Sequence, residues 1–273
     1  MDSNTKGSLY RHLKAVRQML LDLRHRFLKP DDDTLGFFAE QYSYLCIVSN
    51  IHFRLNYKLD AQDIIGSPGQ VLGDLNIGTA IYGCLFGCAH KLFETIPLIC
   101  ELARSRMREP RKPSRLAVDC YLSLLSTLQS WHPDSAFQDN AFEYSGRLYQ
   151  SSSIIFLKTS LYGPYSPTFE LLSDINEHLD SFLKYFSLLP YESAAWTTVM
   201  WPVLVAGSCM REQKRRDVIS SLILGSTFQM RVVQNMLRVL LLLWSEMDRD
   251  ENIYGPYGFE RVLTQSDIIL CVG

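Results

Sequence analysis

Apolar residues recur at intervals of three and four along much of the chain, and this period constrains the fold more than any other feature. The first apolar stripe consists of Leu9, Leu13, Val16, Leu20, Leu23 and Phe27. Such a spacing places apolar side chains on one face of an α-helix. No clean run of alternating apolar and polar residues bounded by turn residues occurs. The sequence therefore predicts an all-α fold.

Prolines and glycines divide the chain into a series of predicted helices. Pro30 ends the first, for which Ser8 is the expected N-cap, and Pro97 is expected to kink a helix over about 79–108. The other predicted helices cover about 35–57, 116–131, 136–161, 168–188, 193–210, 211–224 and 228–247. No linker is long enough to mark a domain boundary. We therefore expect a single domain over residues 1–273, built from antiparallel helical pairs.

Composition places the chain among globular proteins and argues against two kinds of partner. With 273 residues, 47% of them hydrophobic, the chain can bury a core without a disulfide or a metal. Its net charge of −2 is a poor match for nucleic acid, so we expect no direct nucleic-acid binding. The most apolar windows, Trp196–Met210 and Met236–Trp244, are shorter than the roughly 20 residues of a membrane-spanning helix. We expect no membrane association.

The sequence contains none of the motifs that identify common metal, phosphate or catalytic sites. Its seven cysteines are scattered in apolar runs, as reduced core thiols are, which favours a cytosolic or nuclear protein. Cys84, Cys88 and His90 lie close together, but zinc needs about four ligands, and packing of the thiols between helices is the stronger interpretation. There is no HExxH arrangement, GxSxG elbow or Walker-type phosphate loop. We expect no cofactor, no metal and no catalytic residue.

One tetrapeptide, Tyr-Gly-Pro-Tyr, occurs twice, at residues 162–165 and 254–257. The residues that flank the two copies share little, which favours chance over duplication as their origin. The first copy is predicted to end a helix, because glycine and proline both interrupt helical structure.

The stretch Leu189–Asp248 carries a recognisable order of residues. It contains Trp201-Pro202-Val203-Leu204-Val205-Ala206-Gly207, then Arg216 nine residues after the glycine, then Asn235, Trp244 and Asp248. This order resembles the C-terminal half of the fungal-specific transcription factor domain, the all-helical regulatory region of fungal binuclear zinc-cluster transcription factors. That family shows an aromatic-Pro-apolar-apolar-Ala-Gly segment, an arginine that opens the next helix, and a long last helix that ends in tryptophan and acids.

Four upstream segments are similar to other parts of the same domain: Ser8–Leu21, Phe37–Ile51, Leu85–Leu102 and Ala141–Leu157. The resemblance implies a regulatory domain of fungal transcription control, a nuclear setting and a tendency to form homodimers. The family's DNA-binding module needs six closely spaced cysteines to hold two zinc ions. This chain contains no such run. We therefore expect a regulatory domain that lacks the zinc-cluster module.

The matched residues suggest structural roles and a candidate effector pocket. Gly207 is expected to let two helices approach closely or to end one of them, and Arg216 to form an ion pair or bind carbonyls of a neighbouring helix. The residues expected to line an effector pocket, or to pack in the core, are Trp196, Trp201, Gly207, Tyr82 and Phe86. The residues expected to form the structural family motif are Pro202, Arg216, Asn235 and Trp244.

The helical hairpin Arg211–Met247 is expected to contribute an interface. Val239–Trp244 is a continuous apolar run, so its side chains point in every direction around a helix. Such a helix must be buried on nearly all sides, and a side left bare would form an interface. We therefore expect association, as a homodimer or with another transcription regulator, through a surface next to this helix.

Two functions of different classes fit the sequence. The first is a regulatory module of fungal transcription that binds a small hydrophobic effector or a partner protein and performs no chemistry. The alternative is an α-helical carrier of a lipid or other hydrophobic ligand, or an enzyme, that uses the aromatic interior as a pocket. A coordinated metal, or polar groups that converge in a deep pocket, would favour the alternative.

Overall fold

The computed structural model describes residues 5–26, 38, 40–42, 44–45, 89–133, 140–227 and 231–266. Residues 5–26 and the described residues from 89 onward form nine α-helices and one short 3-10 helix, residues 38, 40–42 and 44–45 are also helical, and none of the described residues lies in a β-strand. The predicted all-α class is confirmed. No helix in the described part of the chain has both the length and the hydropathy that crossing a membrane requires.

The elements follow one another along the chain as α1 Thr5–Arg26, α2 His90–Arg106, α3 Arg115–Ser130, α4 Asn140–Tyr162, α5 Phe169–Leu188, the 3-10 helix Ala194–Thr197, α6 Met200–Gly207, α7 Gln213–Gly225, α8 Arg231–Arg249 and α9 Gly255–Ser266. Side-chain caps define two of the starts. Ser114 accepts a hydrogen bond from the Ala117 amide before α3, and Thr168 accepts one from the Leu171 amide before α5.

Helix α4 forms the centre of the fold. It packs against α2, α3, α5, α6 and α9, so it is buried on several faces and lacks the single apolar stripe of a surface helix. A run of three serines, Ser151 to Ser153, gives α4 small buried side chains where neighbouring helices approach. Ser152 satisfies its hydroxyl within the helix by donating to the Leu148 carbonyl over 2.7 Å.

Helix α6 connects this centre to the C-terminal helices. All eight of its residues are buried, and it contacts both α4 and α8. On α8, Leu240 and Leu243 are buried, whereas Leu241 is 52% exposed. The expectation that the apolar run of α8 is buried on nearly all sides is therefore wrong, because packing on α6, α7 and α9 leaves an outward face.

The predicted boundaries agree within a few residues for α3, α5, α7 and α8 and differ at three other places. Helix α1 begins at Thr5, so Ser8 lies inside it and is not its N-cap. The single helix predicted over 193–210 is a 3-10 helix followed by α6, and Pro202 lies in the first turn of α6, where proline is tolerated best. Helix α9 was not predicted, because Gly255 and Pro256 at its start are turn residues in most sequences.

Part of the sequence-based expectation lies outside the described residues. This applies to most of the helix predicted over 35–57 and to the beginning of the one predicted over 79–108. It also applies to two candidate pocket residues, Tyr82 and Phe86. Pro97 is described and lies inside α2.

Candidate functional site

The aromatic core centres on Trp201, the second residue of α6, whose side chain is fully buried. The Tyr149 ring stacks on Trp201 with centroids 5.9 Å apart and planes 7° apart, and Phe156 meets it edge-on at 5.8 Å. Tyr149 and Phe156 lie about two turns apart on α4, so both rings reach the same partner. Trp201 therefore packs between α6 and α4 in the manner of core aromatic residues.

The polar atoms of this cluster differ in their partners. Trp201 Nε1 is buried and has no acceptor among the described residues. The Tyr149 hydroxyl donates to the Thr198 carbonyl, which the Tyr44 hydroxyl also reaches over 3.3 Å. Burial raises the pKa of the Tyr149 hydroxyl well above its ordinary value. Tyr149 is therefore a neutral donor that anchors the chain just before α6.

Trp196, in the 3-10 helix, belongs to the same hydrophobic core but packs against a different ring. Its ring centroid lies 4.9 Å from that of Phe186, near the end of α5. Its Nε1 donates to the Pro190 carbonyl over 2.9 Å, which satisfies the buried indole N–H. The ring contacts of Trp196 and Trp201 share no residue. The two tryptophans thus contact different rings within one hydrophobic core.

Gly207 is the last residue of α6 and lies against α8. A β-carbon at this position would lie 2.7 Å from Leu240 Cδ2, closer than van der Waals contact allows. The Gly207 carbonyl accepts a hydrogen bond from Trp244 Nε1 over 2.9 Å. The absence of a side chain therefore permits close packing of α6 on α8, and the carbonyl orients the Trp244 indole.

Arg216, on α7, is a buried cation with several partners. Its Nε donates to the Met210 carbonyl over 2.9 Å and its Nη1 to Asp248 Oδ2 over 2.8 Å. Its guanidinium carbon lies 5.7 Å from the centre of the Trp244 ring. The hydrogen bond from Arg216 lowers the pKa of the Asp248 carboxyl. Since Asp248 is 61% exposed, this ion pair reaches from the core to the surface.

These contacts form what we call the motif junction, which joins α6, α7 and α8 through Gly207, Met210, Arg216, Trp244 and Asp248. The other two motif residues lie outside it. Pro202 is the third residue of α6, where the amide that proline lacks would have no helical acceptor. Asn235 lies half-buried on α8, about two and a half turns before Trp244.

Arg106 is a second buried arginine that the sequence analysis did not identify. Its side chain is fully buried at the end of α2, and its Nε donates to the Leu161 carbonyl of α4 over 2.8 Å. It also pairs with Glu109 at 2.8 Å and donates to the carbonyls of Pro110 and Arg111. The sequence around Arg106 is basic and contains proline, and such a sequence does not predict a buried arginine. The one available signal was its place at a helix end, where arginines bind carbonyls.

The described part of the chain offers little for covalent or metal chemistry. Within it, no group of three or more His, Cys, Asp or Glu side chains is arranged to hold a metal ion. Burial raises the pKa of the Cys100 thiol to about 12, and that of the Cys209 thiol likewise. Both thiols are protonated at neutral pH and are therefore weak nucleophiles.

The described residues are all-α, and polar side chains join their helices. The family model of the fungal specific transcription factor domain matches residues 2–272. The chain therefore belongs to the fungal specific transcription factor domain family, and its role lies in fungal transcription regulation. No curated protein and no solved structure matches the chain.

Proposed function

We propose that this chain is a single regulatory domain of fungal transcription control that acts in the nucleus, binds an effector or a partner protein, and performs no chemistry. The observation that carries the proposal is the family match over residues 2–272. The motif junction supports it, because the matched residues Gly207, Arg216 and Trp244 contact one another through hydrogen bonds and ring contacts. In this proposal the chain lacks its own zinc cluster and does not bind DNA directly.

The alternative, a hydrophobic-ligand carrier or an enzyme with an aromatic interior pocket, has less support. Trp201 contacts the rings of Tyr149 and Phe156 directly, and Trp196 contacts Phe186. Rings packed at these distances fill the interior instead of surrounding a ligand. The arrangement thus favours a core role for both tryptophans.

We infer that the chain associates, as a homodimer or with another transcription regulator, through the outer face of α8. Leu241 is 52% exposed there, and Leu237 and Leu242 are half-buried. Apolar side chains that remain exposed on a helix face are common at interfaces. Sedimentation at micromolar concentration should show a species heavier than 31.4 kDa, and Leu241→Glu should return it to the monomer. A strictly monomeric wild-type chain would contradict the inference.

The proposed function is tested by deleting the gene for this chain in the fungus that encodes it and measuring transcript levels across the genome. We expect a defined set of transcripts to change and to return when the wild-type chain is restored. A fluorescent fusion should accumulate in the nucleus. A matched control is the chain carrying Trp201→Ala, which should fail to restore the profile because its core is disrupted. An unchanged transcript profile would contradict the proposal.

A further inference from the structure

The two Tyr-Gly-Pro-Tyr tetrapeptides meet in space, although α5 to α8 lie between them in the sequence. Their glycines both have positive φ, +89° at Gly163 and +62° at Gly255, a conformation that glycine adopts most readily. One open cleft of about 110 Å³ is lined by tyrosines of both copies, namely Tyr162, Tyr165, Tyr254 and Tyr257. We call it the tyrosine cleft. The two tetrapeptides thus contribute to the same structural feature.

The size and walls of the tyrosine cleft suit one aromatic ring. An enclosed cavity of roughly 150 Å³ holds benzene; this cleft of about 110 Å³ is open to solvent, so it can hold a ring that extends partly out of it. Leu171 and Pro164 add apolar surface between the tyrosines. Tyrosine rings bind another ring by offset stacking or edge-on contact.

Two arginines favour an anion at the cleft, although aromatic clefts also bind cations. Arg261 lines the cleft with a half-exposed side chain, and Arg111 lies with its guanidinium carbon 5.7 Å from the Tyr165 ring centre. The described side chains that line the cleft include no carboxylate. The nearby Asp250 pairs with Arg261 through one terminal nitrogen at 3.2 Å. Arg261 therefore has further N–H groups that can bind a ligand carboxylate.

The second tetrapeptide, which contributes to the tyrosine cleft, is hydrogen-bonded to the residue that follows α6. The Gly255 amide, in the second tetrapeptide, donates to the Ser208 carbonyl over 2.8 Å. The Arg211 guanidinium carbon lies 5.2 Å from the centre of the Tyr254 ring. Ser208 directly follows Gly207 of the motif junction. A ligand in the cleft would therefore touch Tyr254, whose neighbour Gly255 is hydrogen-bonded to the residue that follows Gly207.

We propose that the tyrosine cleft binds a small planar aromatic anion, whose ring packs among Tyr165, Tyr257 and Leu171 and whose carboxylate binds Arg261. The binding itself depends only on the geometry of the cleft. That the bound anion is the effector rests on the proposed function in transcription.

Binding is tested on the purified full chain with benzoate as the probe, by saturation-transfer NMR and calorimetry. Neutral benzamide and cationic benzylamine have the same ring and serve as comparison ligands. We expect benzoate to bind roughly fivefold or more tightly than benzamide, because only benzoate forms a charge-assisted hydrogen bond. Benzylamine should bind most weakly, and added salt should weaken benzoate binding.

Variants test the location of the site. Arg261→Gln should weaken benzoate binding roughly fivefold, whereas Arg115→Gln, at a 96% exposed arginine on α3, should leave it unchanged. Leu171→Trp should fill the cleft and abolish binding, with circular dichroism used to show that the variant is folded.

Four results would overturn the proposal: no benzoate binding by the folded chain, equal binding of benzamide, preferential binding of benzylamine, or full benzoate binding by folded Leu171→Trp. The effector role is tested separately in cells. Transcripts that depend on the chain but do not respond to an aromatic acid would overturn that role alone. Transcripts that do not depend on the chain would instead contradict the proposed function.

Discussion

Two aromatic regions lie along the same helix, α4, and have opposite structural characters. In the middle of α4, Tyr149 and Phe156 surround the fully buried Trp201. At its end, Tyr162 lines the open tyrosine cleft. In the middle, helices pack on several faces of α4. At the end, the chain turns at Gly163, whose positive φ leaves the rings beside it partly uncovered.

The difference shows that an aromatic-rich sequence does not by itself distinguish a packed core from a binding site. Both regions contain tyrosines and apolar residues. The backbone distinguishes the two regions. In the core it continues as a helix, so that neighbouring helices can cover the rings, whereas at the cleft it turns at a glycine.

Trp201→Ala should cause the largest loss, about 3–5 kcal/mol of unfolding free energy, because it removes a large aromatic side chain from a packed core. Urea denaturation followed by circular dichroism measures this loss. Trp201→Phe keeps a ring between α4 and α6 and should cost less. If the melting temperature of Trp201→Ala were unchanged while effector binding disappeared, Trp201 would be a ligand contact and not a core residue.

Arg106→Ala should cost about 2–4 kcal/mol, because it leaves the Leu161 carbonyl of α4 without this donor and Glu109 without its cationic partner. Arg106 supports the tyrosine cleft from behind, since its Nη2 lies 3.5 Å from the position of a β-carbon on Gly163. The variant should therefore also weaken binding in the cleft. Arg115→Ala is the matched control and should change stability little. Equal effects of the two substitutions would contradict a structural role for Arg106.

Gly163→Ala should cost about 1–2 kcal/mol, because a residue with a β-carbon disfavours the left-handed conformation. The new β-carbon would also lie 3.2 Å from the Tyr165 ring, which forms a wall of the cleft. Gly163→Asn should cost less, since asparagine tolerates positive φ better. Thermal unfolding of the two variants measures the difference. An alanine variant as stable as wild type would show that this glycine is not required for the turn.

Asp248→Asn should have the smallest effect, less than about 1 kcal/mol at neutral pH, since the carboxylate is largely exposed. Arg216 lowers the pKa of Asp248 below its ordinary value of 3.8, so the folded state binds the ionised form more favourably. The stabilisation is therefore present above about pH 4 and is lost as the pH falls through the folded-state pKa. Urea denaturation should show that the free energies of unfolding of wild type and variant converge in acid. Asp119→Asn, on an exposed pair, is the control. A difference that persisted in acid would contradict the ion-pair account.

Much of the fold follows from the sequence, because amphipathic periodicity and flanking breakers determine where helices such as α5 and α7 lie. Helix α9 was missed because its glycines and proline mark a turn when considered locally, while its burial depends on contacts with α4 and α6. Arg106 was missed for the same reason, since its Leu161 acceptor lies on another helix. The tyrosine cleft combines two distant tetrapeptides, and no local pattern indicates that they meet.

The central claim, that this chain acts in transcription regulation through its folded helical domain, is tested most directly by tethering. The chain would be fused to an unrelated DNA-binding module in a fungal cell that carries a reporter gene with the matching site. We predict a several-fold change in reporter expression relative to the DNA-binding module alone, and loss of that change with Trp201→Ala. Reporter expression identical to that of the module alone, with the fusion folded and present in the nucleus, would contradict the claim.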